Sequence, residues 1–211
     1  MAQFFTIHPD NPQARLIRQA AEIIRKGGVA VFPTDSCYAL GCHLGDKEAM
    51  ARIRAIRGVD DSHQFTLVCR DLAEIAHYAK VDNSQYRLLK ANTPGSYTYI
   101  LQATREVPRR LQHPKRNTVG LRVPDHPVLN ALLAELNEPL LSTTLMLPDD
   151  EHPLNDAEEI RDRLERQIDL IVDGGPCGME MTTVIDLTQE VPVLIRHGKG
   201  PIEPFGLSEE E

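Results

Sequence analysis

The spacing of apolar and polar positions changes several times along the chain, and each change marks a predicted element. Between Asn11-Pro12 and Gly27-Gly28, Leu16, Ala20, Ile23 and Ile24 recur at helical spacing. That pattern predicts an amphipathic helix with Asn11 as its cap, proline at its first position and a glycine stop. The continuous run Val29-Ala-Val-Phe32 is too short for a helix and is closed by Pro33, so it predicts a strand covered on both faces. Asp46 is placed to cap a second helix with Ala49, Met50, Ile53 and Ile56 on its apolar face and Gly58 as its stop. Phe65 to Cys69 reads as another strand, Asp71 to Ala79 as a helix gathering Leu72, Ile75 and Ala76, and Asp82 with Gln85 as a capping-box start.

In the second half, Thr93-Pro-Gly95 turns the chain into the strand-favouring run Ser96 to Leu101, and Thr118 to Pro124 predicts a strand with Arg122 near its end. Asp125, with Pro127 in the first turn, introduces a helix carrying Val128, Leu129, Leu132, Leu133 and Leu136 and ending at Asn137. Pro139 to Leu147 is an apolar strand interrupted by the hydroxyls of Ser142, Thr143 and Thr144. Ala157 to Gln167 predicts a charged surface helix, with Ile160, Leu164 and Ile168 recurring every four residues. Asp169 to Val172, Thr182 to Leu187 and Val191 to Arg196 are the last strand candidates, and the Ser-Glu-Glu-Glu end reads as disordered. The alternation of helix and strand is too irregular for strict βαβ repeats.

Composition narrows the class without changing the element map. The chain has 211 residues, 41% hydrophobic and 26% charged, with no repeat or low-complexity linker, as in a globular protein of one large domain or one domain with a modest appendage. No apolar run approaches bilayer length, and the first ten residues lack the basic and apolar regions of a signal peptide, so the cytoplasm is the default expectation and no membrane partner is expected. Cys37, Cys42, Cys69 and Cys177 are too scattered for a disulfide framework and include no C-x-x-C pair, so no metal site is expected.

A net charge of -8 argues against a protein devoted wholly to nucleic acid. The charge is unevenly distributed: Arg105, Arg109, Arg110, Lys115, Arg116 and Arg122 face a single acid, Glu106, in one segment, whereas Asp149 to Asp173 holds ten acids and three arginines. A local positive field that attracts phosphates is compatible with that asymmetry, as are two solvated faces of opposite sign.

Candidate chemistry gathers where apolar runs stop. Thr34, Asp35, Ser36 and Tyr38 follow a buried strand and read either as a small-molecule pocket or as an ordinary turn. Arg57 stands at a helix end beside the loop Val59 to Gln64, free to leave the helix surface for a ligand. Arg122, near a strand end, needs an anionic partner. The hydroxyls at 142 to 144 suit phosphate or carboxylate oxygens and equally suit local backbone groups.

Four strings, in order, resemble the YrdC/YciO family, the threonylcarbamoyl-AMP synthases and their relatives. They are FPTDSCYALG (32 to 41), PGSYTYIL (94 to 101), GLRVPDHP (120 to 127) and TTVIDL (182 to 187), and the surroundings of Phe65 and Arg70 look closest to the YciO branch. The resemblance spans about Arg15 to Gly198. It implies an α+β, three-layer fold in one YrdC-like domain over residues 1 to 206, with a twisted mixed β-sheet, helices on both faces and a positively lined cleft, followed by an acidic tail at 207 to 211. It implies ATP with Mg, L-threonine and bicarbonate as ligands and no tightly bound cofactor, the reaction being nucleotidyl transfer that yields threonylcarbamoyl-AMP for t6A modification of tRNA.

Carried over by position, Thr34, Tyr38, Arg122, Thr143 and Thr182 match positions on the threonine side, and Arg57, Thr144 and Arg196 match positions facing the nucleotide, with Arg57 and Thr144 as the catalytic pair. The N-carboxylated amino acid must attack an α-phosphate, so two anions have to be held together by fixed cations rather than by a protein nucleophile. The chain departs from the family pattern at two places: Lys-x-Arg reads Arg57-Gly58-Val59, and Ser-x-Asn reads Thr144-Leu145-Met146, with Arg54 or His63 as the candidates to make up for the lost cation. Two other readings are weighed against the synthase. A non-catalytic protein binding double-stranded RNA, tRNA or the ribosome fits the basic segment. A hydrolase is disfavoured by the absence of a G-x-S-x-G elbow.

Overall fold

The computed structural model describes residues 1 to 209. Ten strands form one mixed sheet: β1 (Gln3–Thr6), β2 (Ala30–Phe32), β3 (Ala39–His43), β4 (Thr66–Val68), β5 (Tyr97–Gln102), β6 (Thr118–Arg122), β7 (Leu140–Thr144), β8 (Leu170–Asp173), β9 (Thr183–Asp186) and β10 (Val193–Arg196). Their spatial order is β1-β8-β2-β3-β7-β4-β6-β5-β9-β10. The six helices are α1 (Ala14–Arg25), α2 (Lys47–Arg57), α3 (Leu72–Tyr78), α4 (Asn83–Asn92), α5 (Pro127–Leu136) and α6 (Ala157–Leu164). Both parallel and antiparallel pairs occur, so the fold is α+β. Among the described residues no helix is long and apolar enough to cross a membrane.

Two apolar clusters sandwich the sheet. Ala49, Met50, Ile53 and Ile56 of α2, Ile75 of α3, Leu89 of α4, and Ile160 and Leu164 of α6 pack with Leu67, Tyr99, Leu121, Leu141 and Ile185 on one face. Ile17, Ala20, Ala21 and Ile24 of α1 pack with Val128, Leu129, Leu132, Leu133 and Leu136 of α5 over Ala30, Phe32, Val68, Leu140, Leu170 and Val172 on the other. This second pair of helices does not reach across the sheet. Register places Thr66 beside Ser142 and Gly120, Gly120 beside Ile100, and Thr98 beside Val184 on that same face. Thr66, Ile100, Gly120 and Val184 are only half-buried there, while Leu67, Leu101, Leu121 and Ile185 on the opposite face are buried. The uncovered half of the α1/α5 face is the floor of a cleft.

Most predicted elements are present, with local corrections. α1 starts at Ala14 behind Gln13, which offers no side-chain cap, because Gln13 Oε1 instead accepts from the His8 amide and the Asn11 amide donates to His8 Nδ1. Its buried face is therefore Ile17, Ala20, Ala21 and Ile24, and Leu16 and Ile23 lie at the margin. α5 is capped by His126 rather than Asp125, whose own amide is turned toward Asp35. α6 ends at Leu164, short of Gln167, since Ile168 must turn inward ahead of β8. Of the predicted tail, Leu207 packs against the core and Glu209 lies 3.4 Å from His197; residues 210 and 211 are outside the described residues.

Candidate functional site

The loop leaving β2 is organised by Thr34. Its hydroxyl accepts from the amides of Ser36 (3.0 Å) and Cys37 (3.1 Å) and donates to the Cys37 carbonyl (2.6 Å), a local turn that fixes residues 34 to 37. Asp35 is thereby aimed at Arg122, and the two form an ion pair in which each side chain is only 9% exposed. Asp35 also accepts from the Asp125 amide at 3.0 Å, and its carbonyl takes a hydrogen bond from Lys199. Arg122 reaches Ser36 Oγ at 3.3 Å, while its Nε is buried without a partner. Burial lowers the Arg122 pKa, and the Asp35 carboxylate works against that shift.

The cleft encloses about 250 Å³. Its roof and walls come from separated segments that the sheet order makes neighbours. Arg57, at the end of α2, donates through one terminal nitrogen to the carbonyls of Thr144 (2.8 Å) and Met146 (3.2 Å), just past β7, and its Nε is buried without a partner. Burial also lowers the Arg57 pKa. Gly58, in the left-handed conformation at φ 65°, lets the chain leave α2 at this point. On the far side Arg196 clasps the Thr182 carbonyl at 2.9 and 3.1 Å, and Thr182 Oγ1 lies 2.8 Å from Thr98 Oγ1. His63 Nε2 lies 2.9 Å from Thr143 Oγ1. Three guanidinium groups, an imidazole and a row of hydroxyls thus face one space, an arrangement suited to binding and aligning anions.

Tyr38, Arg57, Arg122, Thr143, Thr144, Thr182 and Arg196 all line this cleft. Thr34 is not among its lining residues: its hydroxyl is spent inside the loop, where it sets the position of Asp35. Tyr38 is fully buried in the apolar cluster on the opposite face of the sheet and its hydroxyl donates to the Gly175 carbonyl, so it borders the cleft without presenting its polar tip to it. Burial pushes the Tyr38 phenol well above its ordinary range, which keeps it a neutral donor.

Of the two residues that the sequence offers as replacements for the missing cation, His63 lines the cleft and Arg54 is not among its lining residues; Thr66 and Thr98, which sequence reasoning passed over, line it as well. For Thr66 and Thr98 a signal existed, because polar residues at alternate positions of β4 and β5 mark a face that helices leave open. Cys37 also lines the cleft, with its thiol donating to the Glu180 carbonyl and its pKa raised by burial, so it stands there as a neutral group. Cys42 is buried, with its pKa pushed up to about 12. Among the described residues no group of three or more His, Cys, Asp or Glu side chains could hold a metal ion.

The family model Sua5_yciO_yrdC, described as "Telomere recombination", matches residues 22 to 198. The chain is 60% identical to the protein YciO of Escherichia coli K12 over 205 residues, 97% of this chain and all of that protein. It is 31% identical over 170 residues to the threonylcarbamoyl-AMP synthase of Halorhodospira halophila, covering 80% of this chain and 88% of that one. The fold superposes on the crystal structure of E. coli YciO with a TM-score of 0.93 at 60% identity, over 97% of this chain and 100% of that one. It superposes on P. abyssi Sua5 complexed with L-threonine with a TM-score of 0.87 at 27% identity, over 96% of this chain and 59% of that one.

Proposed function

Because the chain belongs to the Sua5/YciO/YrdC family, we propose that its cleft binds ATP, as the magnesium complex, together with L-threonine and bicarbonate, and joins them slowly into threonylcarbamoyl-AMP and pyrophosphate for t6A modification of tRNA. The observation that carries this reading is the convergence of Arg57, Arg122 and Arg196 with the hydroxyls of Thr143, Thr144 and Thr182 on one cleft. A relative of 27% identity and near-identical fold is complexed with L-threonine, which supports an amino-acid subsite in the same architecture. The N-carboxylated threonine and the α-phosphate are both anionic, so their approach depends on fixed cations and alignment. On this reading Arg122, braced by Asp35, holds the carboxylate, with Tyr38 and the two threonines Thr143 and Thr182 shaping the pocket. Arg57 and Arg196 serve the phosphates, and Thr144 stands with Arg57 at the reacting end. Magnesium enters with the nucleotide, since it keeps several waters and is rarely caged by protein alone.

The rate is reduced on this reading because only Arg57 of the paired cations is kept and Met146 offers no amide. Losing one preorganised contact to developing charge costs about two to three powers of ten in rate. The test is to incubate the protein with ATP, threonine and bicarbonate and to follow pyrophosphate and the adenylate by mass spectrometry. Formation of both, dependent on all three reactants, supports the synthase; absence of product at high protein concentration removes it.

A second reading, a non-catalytic binder of double-stranded RNA or tRNA, is favoured by one observation. Lys80, Arg105, Arg109 and His113 line a second concavity of about 710 Å³ on the basic segment. Salt-sensitive RNA binding without adenylate formation would select this reading.

A further inference from the structure

His63 lies in the cleft, yet the reading above gives it no task. Its ring is held edge-on to Phe65 with centroids 5.6 Å apart, and its Nε2 is 2.9 Å from the Thr143 hydroxyl. Positions 57 to 59 supply one cation and then Gly58 and Val59, so the family's pair of basic side chains is reduced to Arg57. The charged groups acting on His63 are Arg54 and Arg57 from α2 and Asp60 from its own loop; β7 presents only neutral hydroxyls, and Asp61 is fully exposed, 3.9 Å from Arg54. Burial and the two arginines outweigh Asp60, so the imidazole is held below its ordinary pKa and is neutral at physiological pH. A neutral ring can accept from the Thr143 hydroxyl or donate to it, whereas an imidazolium can only donate.

We propose that His63 is the second cation of this cleft, taking up a proton from solvent when a polyphosphate such as MgATP binds, and thereby turning the Thr143 hydroxyl proton toward the ligand. The inference rests on the reading of the cleft as a nucleotide site and adds a residue and a proton to it. Burial first, and then repulsion from Arg57 and Arg54, keeps the ring neutral; a polyphosphate offsets the repulsion and favours the charged ring by bringing several negative charges to the same spot. With Nε2–H donating to Thr143 Oγ1, the threonine can no longer donate to the ring and its own hydrogen becomes available to a phosphate oxygen. No bond other than N–H forms.

The linkage fixes the sign. A His63 pKa that rises on binding makes affinity increase as pH falls from above the bound value to below the free value, about tenfold for each unit of rise, and leaves it flat outside that window. The experiment is isothermal titration of MgATP, and separately of magnesium pyrophosphate, into the full chain near neutral pH. Each titration is run in two buffers of different ionisation enthalpy, for the wild type, His63→Asn and His63→Gln; Gln keeps a hydrogen bond to Thr143, so loss of that contact alone is controlled. Proton uptake in the wild type that disappears in both variants, with affinities converging at about pH 8.5, is the expected result. Binding with the same proton uptake in all three overturns the role of His63 and leaves the nucleotide reading standing. If neither ligand binds the wild type at millimolar concentration, the nucleotide reading itself falls, and the inference with it.

Discussion

Removing Asp35 tests the frame of the cleft most directly. Asp35→Ala leaves the Arg122 guanidinium inside the protein with Ser36 Oγ at 3.3 Å as its one remaining side-chain acceptor and Nε still without a partner. Both members of the pair are 9% exposed, so solvent screens little of the loss. Breaking a buried pair from one side costs about 3–5 kcal/mol, because the surviving charge is stranded. The Asp125 amide, which donates to Asp35 at 3.0 Å, loses its acceptor as well. For a chain of this length each kcal/mol shifts the melting temperature by about 2–4 °C, so the variant should melt roughly 6–20 °C below the wild type. The paired substitution Asp35→Leu with Arg122→Met removes both charges and should recover most of that loss, since apolar replacements of buried pairs are often neutral. Urea unfolding of Asp35→Leu, Arg122→Met and the double variant closes a cycle that gives the coupling energy directly. A single variant that loses less than about 1 kcal/mol, or a double variant no better than the sum of the singles, would refute the claim that a buried pair holds this loop.

Restoring the two missing family side chains with Val59→Arg and Met146→Asn should raise adenylate formation by one to two orders of magnitude or about that, measured as pyrophosphate release; no gain would mean the cleft has diverged further than these positions. Gly41→Ala should destabilise the protein by about 1–3 kcal/mol. A Cβ at Gly41 would lie 2.5 Å from the Phe32 ring and 3.0 Å from the Leu141 carbonyl, and Phe32→Leu in the same background should recover part of the loss. His126 should make stability pH-dependent: burial lowers its pKa, and its Nδ1 accepts from the Val128 amide as the cap of α5, so protonation breaks the cap. A depressed histidine pKa means the unfolded chain binds the proton first, so stability is lost as pH falls through about 6.5 toward the folded value. His126→Asn, which keeps an acceptor and does not titrate, should flatten that part of the urea midpoint against pH.

Much of this architecture was legible in residue patterns because the patterns were local. Asp46 with Gly58, Asp71, and Asp82 with Gln85 each act within one helical turn, and all three helices begin where their caps predict. The failures are non-local. Asn11 loses the cap of α1 because His8 draws its amide away, and Asp125 loses that of α5 because Asp35, ninety residues earlier, competes for its backbone. β1 and β3 went unpredicted: β1 is four residues long and finds its pairing only with β8, and Ala39-Leu-Gly-Cys-His43 reads as part of a polar loop until β2 and β7 flank it. At the site, a hydroxyl's chemistry is visible in sequence but its direction is not. Thr34 and Thr143 look alike there, yet one is consumed by its own turn and the other faces the cleft.

The three guanidinium groups that mark the cleft differ in what an arriving anion must displace. Arg57 and Arg196 donate to neutral backbone carbonyls, so a phosphate would replace a neutral acceptor by a charged one, a gain for each guanidinium since hydrogen bonds to charged groups are about twice as strong. At Arg57 the exchange would have a structural consequence, because its partners are the carbonyls of Thr144, the last residue of β7, and of Met146 just past it, and releasing them would loosen the segment where the family's amide would stand. Arg122 is already neutralised by a carboxylate of its own chain, so a second carboxylate must bind to its remaining donors without displacing Asp35. On the proposed reading, amino-acid binding at Arg122 would therefore gain shape and orientation more than net charge, whereas the proposed nucleotide side would gain charge. On that side the permanent cations are one fewer than in the family pattern, which is where a His63 that takes up a proton, as proposed above, would change the balance.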